Sequence, residues 1–215
     1  LAAPARCEPL RATAIPDPVA LARRARPDLV VVGPETPLAM GLGDQLRAAG
    51  FPVFGPSAVA ARIESSKAFA KDLMARHGVP TARFATFRDT AAAQRYCRGL
   101  GAPLVVKADG LAGGKGVIIC PTREAADRAL ALCFDDRAFG ESGLTVVVEE
   151  LLEGEEVSFF ALADGAAVLP LAAAQDHKTI FDGDRGPNTG AMGAYSPPAV
   201  FDPGMQERGM GGVVR

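Results

Sequence analysis

The stretch "VVKADGLAGGKGVIIC", Val105 to Cys120, sets four glycines and two lysines between apolar runs, and it constrains the fold more than any other segment. A glycine loop that leads from a strand into a helix marks a P-loop or a dinucleotide fold. Neither pattern fits here. A P-loop needs Gly where Asp109 stands and Ser or Thr where Gly116 stands, and Ile119 takes the third glycine position of a GxGxxG begun at Gly114 and Gly116. The loop runs on into "VIIC" and Pro121, a second strand rather than a helix. It therefore tips a β-hairpin, and no helix dipole helps it to hold an anion. Its own N–H groups and lysines must do so instead. Such a flap can close over a polyphosphate and exclude water; a bare glycine-rich turn is the alternative.

The rest of the chain supplies the setting. "PDPVALARRARP" reads as a helix punctuated by proline at both ends. "DLVVVG" and "FPVFG" are short continuous apolar strands, of the kind buried on both faces of a parallel sheet. Between them "GPETPLAMGLGDQLRAAG" reads as a loop and one amphipathic helix stopped by Gly50. In an open parallel sheet ligands bind beyond the strand carboxyl ends, which is where Gly33, Pro34 and Glu35 fall; an ordinary βα turn explains them equally well. From about Ser65 the order becomes helix "SSKAFAKDLMARHG", strand "TARFATF", helix "TAAAQRYCRGLG", the glycine hairpin, and helix "REAADRALALCF". The last is capped by Thr122 and buries Ala126, Ala129, Leu130 and Cys133 on one stripe. "TVVVEELLEGEEVSFFALADGAAVLPLA" then gives three strands, the last two joined at Asp164-Gly165, a hairpin signal. Beyond Ala174 the chain turns polar and glycine-rich. The fold class expected is α/β: an incomplete, Rossmann-like parallel layer over residues 1–62, then an α+β domain over 63–215.

Composition excludes several partners. The 23 basic and 25 acidic residues leave a net charge of −2, so no basic field awaits nucleic acid and no polybasic patch awaits a membrane. Charge, Gly or Pro interrupts every apolar run, so no membrane span is expected. "LAAPARCEPLRATAIPDP" has no sustained apolar core and does not read as a signal peptide. Cys7, Cys97, Cys120 and Cys133 show no CxxC spacing, and His77 and His177 are far apart, so reduced cytoplasmic thiols are expected rather than a zinc site or disulfides. The chain opens on Leu and stops soon after "GMQERGMGGVVR", which reads as part of something longer.

Of the 23 basic residues 18 are Arg, and only Lys67, Lys71, Lys107, Lys115 and Lys178 are Lys. Lysine is a compact point charge and arginine a planar fork, so the two exchange poorly at a phosphate. Lys107 ends the strand that enters the glycine loop and aims its ammonium at whatever the loop covers. Lys67, at a helix start after two serines, offers a second phosphate contact. In "VVVEELLEGEE", Glu149 and Glu150 stand at a strand end, with Leu152 next and Glu156 four residues on. An edge segment there can read adenine through its backbone, and a further carboxylate can hold ribose hydroxyls; a solvated acidic turn is the alternative.

This combination resembles the ATP-grasp superfamily, and within it the phosphoribosylamine–glycine ligase family. "VVKADGLAGGKGV" and "VEELLEGEEVSF" carry the ATP part, while "GPETPL", the "SSKAFAKD" of "ESSKAFAKDLMARHGVPTA", "LPLAAAQDHK" and "GPNTGAMGAYSPP" single out the ligase. The resemblance implies a pre-ATP-grasp layer followed by an ATP-grasp domain, with ATP and Mg²⁺ (or Mn²⁺) as cofactors and glycine and 5-phosphoribosylamine as substrates. Nucleic acid and membranes are not implied as partners, and a monomer or small oligomer is. It implies that Lys107 and Lys115 serve catalysis. ATP would be held by Lys67, Lys107, Gly110, Gly113, Gly114, Lys115, Gly116, Glu149, Glu150, Leu152 and Glu156. The substrates would fall to Gly33, Pro34, Glu35, Asp176, His177, Lys178, Asn188, Thr189, Gly190, Met192 and Gly193. Metal ligands are expected beyond Arg215, and this stretch alone is expected to be inactive. Two positions depart from the family pattern: Ala191 replaces a glycine and Thr179 a basic residue. A different ATP-grasp ligase or carboxylase, a nucleotide-binding module without catalysis, and a domain whose glycines are merely turns remain as rivals.

Overall fold

The computed structural model describes residues 17–112, 116–183 and 185–214. The chain divides into two compact units, Leu1–Leu73 with Arg83–Glu150, and Met74–Ala82 with Leu151–Arg215.

The first unit opens with the parallel layer. Helix α1 (Pro18–Ala25) begins where the Asp17 carboxylate accepts the Ala20 N–H at 2.9 Å and proline takes the first helical position, both standard starting devices. Strand β1 (Val30–Val31) pairs in parallel with β2 (Val53–Phe54). The segment between them makes two helices rather than one, α2 (Glu35–Ala39) and α3 (Leu42–Ala48). The chain breaks at Gly41, whose φ of +85° puts it in the left-handed region that glycine tolerates best. Ala22, Val32, Leu38, Leu46 and Ala61 form the core of this layer.

A short helix α4 (Arg62–Ser65), not anticipated from sequence, precedes α5 (Lys67–His77). There follow β3 (Phe84–Phe87), α6 (Thr90–Leu100), β4 (Leu104–Ala108), β5 (Val117–Cys120), α7 (Arg123–Phe134) and β6 (Val146–Glu150). The four strands form one antiparallel sheet in the order β3-β6-β4-β5. Alternation along each strand divides the sheet into two faces. Leu104, Val106, Ala108, Cys120, Val146 and Val148 pack with Ala93 and Cys97 of α6 and with the expected stripe of α7, Ala126, Ala129, Leu130 and Cys133. Thr122 caps α7 through the Ala125 N–H at 3.2 Å, as its position predicts. Cys97, Cys120 and Cys133 are free thiols in this core, and burial pushes the Cys97 thiol up to about 11. The opposite face carries Val105, Lys107, Val147 and Glu149.

The second unit is built of ribbons. Strands β7 (Ala161–Ala163) and β8 (Val168–Pro170) form the hairpin expected at Asp164-Gly165. The Asp164 carboxylate accepts the N–H groups of Ala166 at 2.9 Å and Ala167 at 2.7 Å, an Asx turn with Gly165 at φ +93°. The polar, glycine-rich stretch beyond Ala174 carries strands. It forms an antiparallel ribbon of β9 (Gln175–Phe181) and β10 (Arg185–Tyr195), then α8 (Pro203–Gly209). Among the described residues no helix is long and apolar enough to cross a membrane.

Candidate functional site

The glycine loop tips a hairpin, as its flanking strands require. Lys107 lies opposite Val117 across the β4–β5 ladder, and the Ala108 N–H donates to the Gly116 carbonyl at 2.8 Å where the loop closes. Gly116 is packed so tightly that a Cβ there would stand 2.8 Å from that of Ala112, which explains a glycine at that corner. Gly113, Gly114 and Lys115 lie outside the described residues.

The base of the loop is tied to the start of α5. The Asp109 carboxylate accepts from Ser66 Oγ and from the Ala68 N–H, each at 3.1 Å, while Ser66 Oγ also accepts the Phe69 N–H at 3.1 Å. Lys67 Nζ donates to the Gly110 carbonyl at 2.6 Å. Gly110 is at φ +79°, so the carbonyl that receives Lys67 comes from a backbone conformation that other residues resist. Burial lowers the Lys67 pKa from its ordinary value; Asp109 opposes that shift and the charge of Lys107 adds to it.

On the face of the sheet away from α6 and α7, Lys107 and Glu149 are diagonal neighbours, because Val105 pairs with Glu149 and Lys107 with Val147. Glu149 Oε1 meets the Lys107 ammonium, and Oε2 meets that of Lys71 from α5. Oε2 is buried and accepts no directional hydrogen bond among the described residues, so its contact with Lys71 is one of charge. A buried carboxylate persists only when paired in this way. Two ammonium groups around one carboxylate leave positive charge in excess. A surplus of that sign suits an anion.

Other expected residues fall differently. β6 lies between β3 and β4 in the sheet, so Glu149 is central rather than part of an edge, and its backbone is committed to the ladders. Glu150 points to the opposite face from Glu149. Its carboxylate accepts the Arg83 N–H at 2.8 Å and Arg83 Nε at 2.7 Å, and these hydrogen bonds hold its carboxyl below the usual glutamate value. Gly33, Pro34 and Glu35 are exposed at the carboxyl end of β1, with Pro34 preceding and Glu35 beginning α2.

In the second unit the expected substrate residues Asp176, His177 and Lys178 lie within β9. Alternation separates them. The His177 ring stacks with Tyr195 at 6.0 Å between centroids, whose hydroxyl donates to Gln175 Oε1 at 2.6 Å. Lys178 turns to the acidic side, donating to Glu156 and lying 3.9 Å from Asp176. The hydrogen bond to Glu156 raises the Lys178 pKa. The register slips between the Asn188–Thr179 and Gly193–His177 pairs. Thr189, Gly190, Ala191 and Met192 therefore bulge opposite Lys178, and Thr189 Oγ1 donates to the Lys178 carbonyl at 2.9 Å. The Asn188 side chain lies outside the described positions. Met192 and Leu152 are exposed.

Sequence reasoning passed over Lys71 and Asp109. The spacing of Lys67 and Lys71, four residues apart on one helix, places both on one face and signals the pair. Nothing local marks Asp109, whose partners stand more than forty residues earlier in the chain.

A parallel βα layer, then an antiparallel sheet with a glycine hairpin and a lysine-bearing second face, defines an ATP-grasp nucleotide domain behind its N-terminal companion. The model of the phosphoribosylglycinamide synthetase ATP-grasp (A) domain matches residues 65–215, and that of the N domain matches residues 1–64. The chain belongs to the phosphoribosylglycinamide synthetase family. It is 57% identical over 187 residues to the phosphoribosylamine–glycine ligase of Rhizobium meliloti, covering 87% of this chain and 44% of the relative. Against the Xanthomonas campestris ligase the identity is 54%, covering 91% and 46%. The crystal structure of the Thermotoga maritima ligase superposes with a TM-score of 0.70 at 34% identity, over 84% of this chain and 44% of that one. The biotin carboxylase domain of Hydrogenobacter thermophilus 2-oxoglutarate carboxylase, solved with MgADP and bicarbonate, gives 0.61 at 25% identity, over 74% and 36%. The chain thus spans less than half the length of each of these relatives.

Proposed function

We propose that the protein carrying this chain is a cytoplasmic, ATP-dependent phosphoribosylamine–glycine ligase of purine biosynthesis. The observation that carries this reading is the 57% identity to the Rhizobium meliloti ligase, which runs through both the N and ATP-grasp parts. In the reaction a carboxylate oxygen of glycine attacks the γ-phosphorus of ATP and ADP leaves. The amine of 5-phosphoribosylamine then attacks the acyl carbon of glycyl phosphate, and phosphate leaves as the amide forms.

Phosphoryl transfer of this kind depends on positioning and charge neutralisation more than on covalent groups. In the first unit Lys107, with Lys67, takes the polyphosphate, and Gly110 to Gly116 with Lys115 close over it. Exclusion of water there protects the acyl phosphate from hydrolysis. In the second unit the backbone at Leu152 and the Glu156 carboxylate serve purine and ribose, while Asp176, Lys178 and the Thr189–Gly193 bulge serve the sugar phosphate and amine. Mg²⁺ supplies charge neutralisation of the phosphates when bound. Among the described residues no group of three or more His, Cys, Asp and Glu could hold it.

The test is ADP release by the full-length protein carrying this sequence. Release that requires both glycine and 5-phosphoribosylamine supports the reading. Release driven by bicarbonate or formate instead assigns a different ATP-grasp reaction and overturns it.

A further inference from the structure

We infer that Lys71 is a positioning residue for polyphosphate, acting through Glu149 to keep the Lys107 ammonium available to an anion. This rests on the nucleotide reading above, which assigns Lys107 but gives Lys71 no part.

The three side chains are unequally enclosed. Glu149 is 7% exposed, Lys71 12% and Lys107 24%, so Lys107 is the more open of the two ammonium groups around the carboxylate. Lys71 is held where it stands from a second side, its Nζ lying 5.5 Å from the centre of the Phe84 ring, and Phe84 is the residue paired with Glu149 across β3–β6. One oxygen of Glu149 is thereby claimed by the less exposed of the two lysines.

The consequence comes from charge in a poorly solvated place, where an opposite pair attracts strongly. With Lys71 present, Glu149 divides its charge between two cations and Lys107 keeps a surplus. Without Lys71, both oxygens turn to Lys107 alone, the pair becomes neutral, and the ammonium is drawn off the ligand. Lys71 thus touches no substrate and still sets how strongly the face attracts phosphate. The adenosine part of a nucleotide carries no such charge and does not feel the change.

The experiment compares ATP (with Mg²⁺) and adenosine binding by calorimetry in the full-length protein, with thermal stability followed alongside. Lys71→Met is expected to weaken ATP about tenfold, the scale of a close charge pair, while adenosine stays unchanged. Lys71→Arg, which restores the charge, is expected to return ATP affinity to near wild type. In Lys71→Met/Glu149→Gln the neutral amide no longer captures Lys107, so the ratio of ATP to adenosine affinity recovers. That double variant also keeps the test open should the single one not fold. A lower melting temperature with an unchanged ratio in Lys71→Met would overturn the inference, since Lys71 would then only satisfy a buried acid. A ratio still depressed in the double variant would also overturn it. Failure of the wild-type protein to bind either ligand would strike the nucleotide reading itself, before any variant is made.

Discussion

The four-stranded sheet and the β9–β10 ribbon both present charged side chains on alternating strand positions, but they hold them by different means. The sheet has a core of its own: Leu104, Leu130, Val106, Val146 and Val148 are fully buried between strands and helices. Among the described residues of the second unit only small or cyclic apolar side chains are buried, Ala82, Ala173 and Pro198, while Phe160, Leu169, Phe181 and Met192 are exposed. Ladder hydrogen bonds and polar cross-contacts organise that ribbon instead. The lesson is that Lys107 and Glu149 are fixed by packing beneath them, whereas Lys178 and His177 are fixed only by the neighbours they touch.

The sharpest way to break this contrast is to remove apolar volume from each region. Leu130→Ala, at a side chain with no exposure, is expected to cost about 2–5 kcal/mol, the range for a buried leucine. Leu169→Ala, at 59% exposure, is expected to stay within about 0.5 kcal/mol, as surface changes do. Denaturant unfolding of both variants checks the difference. Equal losses would mean that the ribbon has a core as consequential as the sheet's.

The same contrast explains what was legible in the sequence. The α7 stripe, the Thr122 cap, the Asp164-Gly165 turn and the strand–loop–strand hairpin were all readable, because each is a local pattern with a local cause. The single helix expected before Gly50 broke at Gly41 because one left-handed residue outweighs an amphipathic run. The stretch from Gln175 to Tyr195 concealed its strands, since glycine and polar residues carry little strand propensity and its pairing comes from the ladder. In the site, Lys107 and Glu149 were visible as types, but their mutual pairing and the role of Lys71 needed the cross-strand register. Glu150 looked like a twin of Glu149 in sequence; alternation sent it to the other face and to Arg83.

A smaller effect separates the loop's anchor from the sheet that carries it. Asp109→Ala removes the acceptor for Ser66 Oγ and the Ala68 N–H at the start of α5. A loss of about 1 kcal/mol is expected, typical of a lost helix cap. Hydrogen exchange should speed up at Ala68 and Phe69 and leave the β4–β6 amides as slow as before. Faster exchange throughout the sheet would mean that the anchor is part of the core.

Smaller again is the pH dependence of the Arg83–Glu150 pair, a largely exposed pair at the end of β6. The folded protein holds the Glu150 carboxyl below its ordinary value of 4.5. Its contribution is therefore complete above 4.5 and fades as the pH falls through the lowered folded value. The melting temperature of Glu150→Gln should trail wild type at neutral pH and converge with it in acid. A gap that stays constant into acid would remove the ion pair as its cause.

The least effect is expected where side-chain contact acts without packing. Lys178 is 40% exposed and Glu156 68%, and a solvated pair of this kind contributes no more than about 1 kcal/mol. Because the Glu156 hydrogen bond raises the Lys178 pKa above its ordinary 10.5, the contribution is complete below 10.5 and is lost as pH rises through the raised value. Glu156→Gln should thus shift unfolding only slightly near neutrality and not at all at strongly alkaline pH. In the same variant the Lys178 side-chain resonances should titrate at a lower pH than in wild type. If they titrate at the same pH, Glu156 does not hold Lys178. The ribbon's charged face would then owe its geometry to the bulge from Thr189 to Met192 alone, whose hydroxyl-to-carbonyl bond at Lys178 would remain as its local tether.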